Sequence, residues 1–153
     1  MEIDYLADHP HFIPMLADWH HQEWAYLREG DTVEARLERL RSECGHREIP
    51  TTVVAFDGPQ LIGSAMIIPQ DMDTHPHLTP WLASVFVAPA FRGQGIGATL
   101  VRRIMDEARA LGVKRFYLYT PSAEDFYARL GWKVLERTTY GGKPAVVMAC
   151  DLS

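Results

Sequence analysis

The stretch Phe91-Arg92-Gly93-Gln94-Gly95-Ile96-Gly97 has the makings of an anion cradle. Its glycines let the main chain approach a ligand closely. A helix starting here would present its first N–H groups without intrahelical partners. Such a loop can hold a pyrophosphate on backbone donors and needs few cations. A dinucleotide fingerprint would require G-x-G-x-x-G with an acidic residue about 20 positions on, and a Walker loop would end in Gly-Lys-Ser or Gly-Lys-Thr. Gly95 and Gly97 are separated by one residue, and Gly97 is followed by Ala98-Thr99, so neither pattern fits. What remains is Arg92-x-x-Gly95-x-Gly97.

The surrounding segments are those that would position this loop. Residues 81–87 form a continuous apolar run, as expected of a central strand, and Ala88-Pro89-Ala90 turns the chain into the loop. Residues 95–111 then read as the clearest helix. Ile96, Leu100, Val101, Ile104, Met105, Ala108 and Leu111 form its apolar stripe, and Gly112 stops it. Upstream, residues 1–5 read as a short strand and 11–26 as a helix whose start is complicated by Pro10 and Pro14. A second helix is expected over 33–43, with Thr32 available as its cap. Residues 51–56 and 61–69 read as a hairpin with Gly63 as a bulge, followed by a polar loop over 70–80. Downstream come a strand over 115–119, a short helix over 123–130 closed by Gly131, and strands over 133–140 and 144–150 joined by Gly141-Gly142. This order predicts one α/β domain over residues 1–153 with a mixed sheet.

Composition narrows the function. The chain has 153 residues, 47% hydrophobic and 23% charged, an ordinary globular balance. No apolar run approaches the roughly 20 residues of a membrane span, and the acidic start Met1-Glu2-Ile3-Asp4 does not resemble a secretory signal. Two cysteines, Cys44 and Cys150, have no metal-site spacing and fit a reducing cytoplasm. The net charge of −5 argues against nucleic acid as a partner and mildly favours a cationic acceptor. Neither a metal nor a membrane partner is expected.

Arg92-x-x-Gly95-x-Gly97, preceded by Val85-Phe86-Val87-Ala88-Pro89, resembles the acyl-CoA loop of the GNAT superfamily of N-acetyltransferases. Phe126-Tyr127-Ala128-Arg129-Leu130-Gly131-Trp132 is similar to the family's Tyr-x-x-x-Gly-Phe segment. Together these motifs cover residues 81–132. The resemblance implies a sheet of about seven strands flanked by about four helices, splayed between the fourth and fifth strands. It implies acetyl-CoA as cosubstrate, its pantetheine arm pairing with the backbone of Val85 and Val87 like an added strand. The acetyl carbonyl would be polarised by an N–H near Phe86 or Val87. The pyrophosphate would lie on Arg92, Gly93, Gln94, Gly95, Ile96 and Gly97. Tyr127 would stand at the thioester sulfur. A thiol has a pKa of about 8.5 and a phenol about 10, so Tyr127 can either supply a proton to the departing sulfur or orient the thioester.

Two departures from the family pattern concern the remaining machinery. Some relatives carry a glutamate base on the fourth or fifth strand, whereas residues 81–87 offer only Ser84 and residues 115–119 no acid. An alkylammonium has a pKa of about 10.4, so its proton goes either to water or to a base; a base would come from the loop, where Asp71, Asp73, His75 and His77 stand, with His75 and Asp73 the first choices. Where many relatives have asparagine, Thr120 stands, and Thr120 or Ser122 would replace its hydrogen bonds to CoA. By the resemblance, Trp19, Glu23 and Trp24 on the first helix, with Asp71, would bind the acceptor through charge and cation–π contact. The acceptor implied is a small primary amine or a peptide N-terminus, attacked directly in a ternary complex. A non-catalytic acyl-CoA sensor is the alternative, and a homodimer is compatible with either.

Overall fold

Seven strands form one sheet in the order β1-β2-β3-β4-β5-β7-β6 in the computed structural model, which describes residues 1–153. The strands are β1 (Glu2–Tyr5), β2 (Thr51–Asp57), β3 (Gln60–Ile68), β4 (Trp81–Val87), β5 (Arg115–Thr120), β6 (Lys133–Tyr140) and β7 (Lys143–Asp151). The helices are α1 (Ile13–Trp24), α2 (Val33–Ser42), α3 (Ile96–Ala110) and α4 (Glu124–Arg129). Every neighbouring pair is antiparallel except β4 and β5, which run parallel. The expected α/β mixed sheet with four helices is the one observed.

The sheet separates two apolar layers because alternate residues of a strand face opposite sides. On β2, Val53 and Ala55 face α3 and pack with Leu100, Val101 and Ile104. Val54 and Phe56 face the other way, onto Leu16 and Ala17 of α1 and Leu40 of α2. Thr32 caps α2 by accepting from the Ala35 N–H at 3.0 Å. The two prolines act locally: Pro10 opens a 3-10 turn, Pro10–Phe12, and Pro14 sits in the first turn of α1. This helix is therefore shorter than the periodicity suggests, and its far end tightens into a second 3-10 turn, Ala25–Leu27.

The β6–β7 hairpin turn uses glycine as expected. Gly141 and Gly142 both have positive φ, 58° and 77°, the geometry of a two-residue primed turn. The register slip in the first hairpin leaves Ile62, beside Gly63, as the extra residue. Gly63 is required for another reason: a Cβ there would lie 2.4 Å from the Phe86 carbonyl oxygen, so β3 and β4 could not approach as they do. β6 closes the sheet as an edge strand. Leu135 is bulged out of register with β7, and Val134 and Leu135 are exposed between Lys133, Glu136 and Arg137.

Helix α3 departs from its apolar stripe at two positions. Leu111 is exposed, whereas Glu107 is fully buried. The Glu107 carboxylate accepts from Tyr5 Oη at 2.6 Å, from Arg103 Nε at 3.1 Å and from Arg47 Nε at 2.9 Å. Arg103 also donates to the Ile3 carbonyl at 3.2 Å, so β1, the segment before β2 and α3 are tied at one acid. Burial would raise the Glu107 pKa, but the hydrogen bonds from Arg47, Tyr5 and Arg103 outweigh it and hold it below 4.5. A depressed carboxylate pKa stabilises the fold above the unfolded value and loses that contribution as pH falls through the folded value. Glu107→Gln is therefore expected to cost about 1–3 kcal/mol at neutral pH. In urea titrations across pH, the gap from wild type should shrink below about pH 4.5. A gap independent of pH would mean the carboxylate charge contributes nothing.

Candidate active site

The anion cradle forms where β4 hands the chain to α3. Gly93 and Gly95 adopt positive φ, 79° and 81°, which turns successive amides outward. No acceptor in the chain meets the N–H groups of Gly93, Gln94, Gly95, Ile96, Gly97 or Ala98. They form one continuous row of free donors at the start of a 15-residue helix. Arg92 is differently engaged: its Nε donates to the Val87 carbonyl at 2.7 Å, and its guanidinium lies 5.4 Å from the Phe86 ring centre. One of the backbone groups expected to be open to a pantetheine arm is thus occupied by Arg92.

Strand β4 is bulged and splayed. Met66 pairs with Ala83 and Ser64 with Phe86, so Ser84 and Val85 together oppose Ala65. Ser84 takes the left-handed conformation with φ 50°, which a non-glycine residue adopts only when held there. Ser64 holds it: its hydroxyl donates to the Ser84 carbonyl at 2.9 Å. That hydroxyl has one proton, so the buried His20 Nε2, at 2.9 Å, must donate to it. Burial drives the His20 pKa down to about 3, so the ring is neutral and its buried Nδ1 is left as a lone pair without a partner. Beyond the bulge, β4 parts from β5. Trp81–Tyr117 is their only paired position, supported by Tyr117 N–H donating to the Pro80 carbonyl at 3.2 Å.

The gap opens into a cleft of about 490 Å³. One wall is Leu82–Val85, and the facing wall is Leu118–Ala123 with Tyr127. Tyr127 is buried and its hydroxyl makes no hydrogen bond; burial alone raises its pKa, so the hydroxyl keeps its proton. Thr120 Oγ1 is spent accepting from the Ala123 N–H at 3.0 Å, which turns the chain into α4, while Ser122 is exposed on the rim.

The loop residues separate. Asp71 lines the cleft half-buried, and desolvation, reinforced by Glu43, raises its pKa to about 7 against the pull of Arg28 and Arg36. Asp73 lies at the rim, accepting from Tyr140 Oη at 3.2 Å. His75 does not line the cleft: its Nε2 is engaged by Glu136 and its Nδ1 by Thr74. Glu23 and Trp24 reach the cleft, but Trp19 packs on Phe86 instead, with ring centres 5.6 Å apart. Tyr26, Arg28, Arg36, Tyr119 and Tyr140 also line it. No motif marks these five, since they come from the 3-10 turn and the residue after it, from α2, from β5 and from β6.

A strand–cradle–helix unit beside a splayed parallel pair defines an acyltransferase of one architecture. Residues 13–132 match the acetyltransferase (GNAT) family, and the chain belongs to that family. The fold is shared along the whole chain with an aminoglycoside 6'-acetyltransferase type Ii, at 23% identity and a TM-score of 0.76 over 100% of this chain and 98% of that one. It is shared with an aminoglycoside 6'-N-acetyltransferase complexed with coenzyme A, at 21% identity and TM-score 0.76, over 100% and 98%. The ribosomal-protein-alanine N-acetyltransferase from Brucella melitensis has 22% identity and TM-score 0.71, over 99% of each chain. No curated protein sequence matches the chain. No helix is long and apolar enough to cross a membrane.

The cradle can be tested by charge. A Cβ on Gly97 would meet Phe126 at 3.5 Å and Val87 at 3.7 Å, ordinary contacts, so a side chain fits there. Gly97→Asp is expected to weaken coenzyme A binding at least about tenfold by calorimetry, through a like charge against phosphate. The neutral Gly97→Asn should lose much less. Equal affinities in wild type and Gly97→Asp would move the phosphate site elsewhere.

Proposed function

We propose that this protein transfers the acetyl group of acetyl-CoA to a primary amine, by direct attack in a ternary complex. The observation that carries this reading is that β4 both walls the splayed cleft, where the Tyr127 hydroxyl has no partner, and leads into a row of six unpartnered N–H groups. The residues suit that cosubstrate. The cradle of Arg92, Gly93, Gln94, Gly95, Ile96 and Gly97 would hold the pyrophosphate. The edge of β4 around Val85, Phe86 and Val87 would hold the pantetheine arm once Arg92 Nε releases the Val87 carbonyl. Acetyl-CoA supplies an activated acyl group as a thioester. Thr120 and Ser122 line the facing wall.

Each protein group then has a task. The bulged β4 backbone, held by Ser64, orients an N–H toward the acyl oxygen, as an oxyanion site requires. Tyr127 keeps its proton and offers it at the sulfur. Asp71 takes a proton from the acceptor nitrogen. Its raised pKa matches that work, since a general base acts best with a pKa near the working pH. Asp73 orders the loop through Tyr140, and Glu23, Trp24 and Asp71 form the acceptor wall. Neither Cys44 nor Cys150 reaches the cleft, and burial raises both thiol pKa values, which favours direct transfer over an acyl-cysteine route. We place the reaction in a reducing cytoplasm, where both thiols stay free. A non-catalytic sensor would have no use for an unpartnered tyrosine beside the thioester position.

Tyr127→Phe keeps the ring and removes only the hydroxyl. Single-turnover acetylation should fall by about 10²–10⁴ while the Kd for acetyl-CoA changes little. An unchanged single-turnover rate would remove Tyr127 from the chemistry. The base is tested by pH. In wild type kcat/KM should rise with pH through an apparent pKa near 7 and then level off, because Asp71 must be ionised to accept a proton. Asp71→Asn should abolish that limb and lower the plateau. A profile of wild-type shape in Asp71→Asn would eliminate Asp71 as the base.

A further inference from the structure

The acceptor wall contains more positive charge than amine binding needs. Arg36 of α2 and Arg28, just past the 3-10 turn, both line the cleft. A guanidinium cannot deprotonate in a protein, so a half-buried one requires acceptors. Arg36 reaches only Asp31, through Nη2 at 3.4 Å. That carboxylate is already met on both oxygens by Arg39 Nη2, at 3.1 and 3.0 Å. Arg36 Nε is buried with no partner at all. Arg28 is exposed in the cleft and forms no ion pair. Glu43 and Asp71 lie close enough to influence Arg36 and Arg28, but neither hydrogen-bonds to them. Arg36 and Arg28 thus line the same cleft with more guanidinium donors than the chain has acceptors for. A buried donor left unmet costs folding free energy and calls for an explanation.

We propose that the acceptor is an amine that also carries a carboxylate, an amino acid or related zwitterion, with the carboxylate taken by Arg36 and Arg28. The proposal rests on the amine-acetylating reading above and adds the substrate class. Arg is suited to this because its planar fork meets a carboxylate in two parallel bonds. The amine end lies toward Asp71 and Glu23. Trp24, Tyr26 and Tyr119 between them give apolar walls for the carbon chain.

The test compares amines that differ by one carboxylate. Lysine is set against cadaverine, and several amino acids against their amides, with acetyl-CoA and thiol release as the readout. Acetyl-CoA binding is measured separately by calorimetry. Wild type should favour the carboxylate-bearing member in kcat/KM by about tenfold or more. Arg36→Gln and Arg28→Gln should each drive that ratio toward one, with the loss concentrated in KM for the carboxylated member. A purely structural defect would lower both members together and leave the ratio intact. Should Arg36→Gln fail to fold, Arg28→Gln decides, because its side chain has no structural partner. A wild-type ratio near one, or a ratio unmoved in the folded variants, overturns the carboxylate site and leaves the transferase reading standing. Acetyl-CoA binding without turnover of any amine overturns the transferase reading, and the carboxylate site with it.

Discussion

The molecule is organised around a single backbone bridge. Parallel strands β4 and β5 pair only at Trp81 and Tyr117 and then diverge. Backbone donors and acceptors along the inner edges of a sheet normally find partners. Here the sheet forgoes that pairing through its middle, and the remaining architecture compensates. β4 is held from its other side by the β3 ladder, the close approach at Gly63 and the Ser64 hydroxyl. β5 is held by an unbroken six-residue register with β7. The two half-sheets are each well tied, so the gap between them persists without closing.

The same gap explains the distribution of polar groups. Everything that would act on a thioester faces it: the bulge at Ser84, the Tyr127 hydroxyl and the raised Asp71 carboxyl. Their altered acidities have a common source, the removal of water by the walls, which disfavours the charged form of an acid. The cradle differs. It lies outside the gap on exposed backbone, where partial charges of the helix end act without titratable groups.

How much of this was legible in the sequence follows from the distance over which each feature is built. The cradle, the α3 stripe, the Gly141-Gly142 turn and the α4 tyrosine are local patterns, and each appears where its residues predict. The sequence names the acids and histidines of the β3–β4 loop and puts His75 and Asp73 first, but spacing alone carries no such ranking. Asp71, Asp73 and His75 are neighbours in the chain, and only the path of the loop sends Asp71 into the cleft, Asp73 to Tyr140 and His75 to Glu136. His20 with Ser64, and Glu107 with Tyr5 and Arg47, join residues far apart in sequence, so no spacing announces them. Glu107 and Leu111 both break the helical pattern that predicts burial at the other positions of the stripe. Arg36 looks like one more solvated charge on a polar helix until the cleft closes over it.

The outer margin of the sheet has a consequence of another kind. An uncovered strand offers its free amides and carbonyls as a template to any other extended chain, the usual seed of aggregation. On β6 the extra residue at Leu135 throws the exposed row out of step, so a visiting strand cannot stay in register along its length. Lys133, Glu136 and Arg137 add charges that a stacked copy would have to desolvate. The irregularity that weakens the last ladder thus makes that edge a poor template for a further strand.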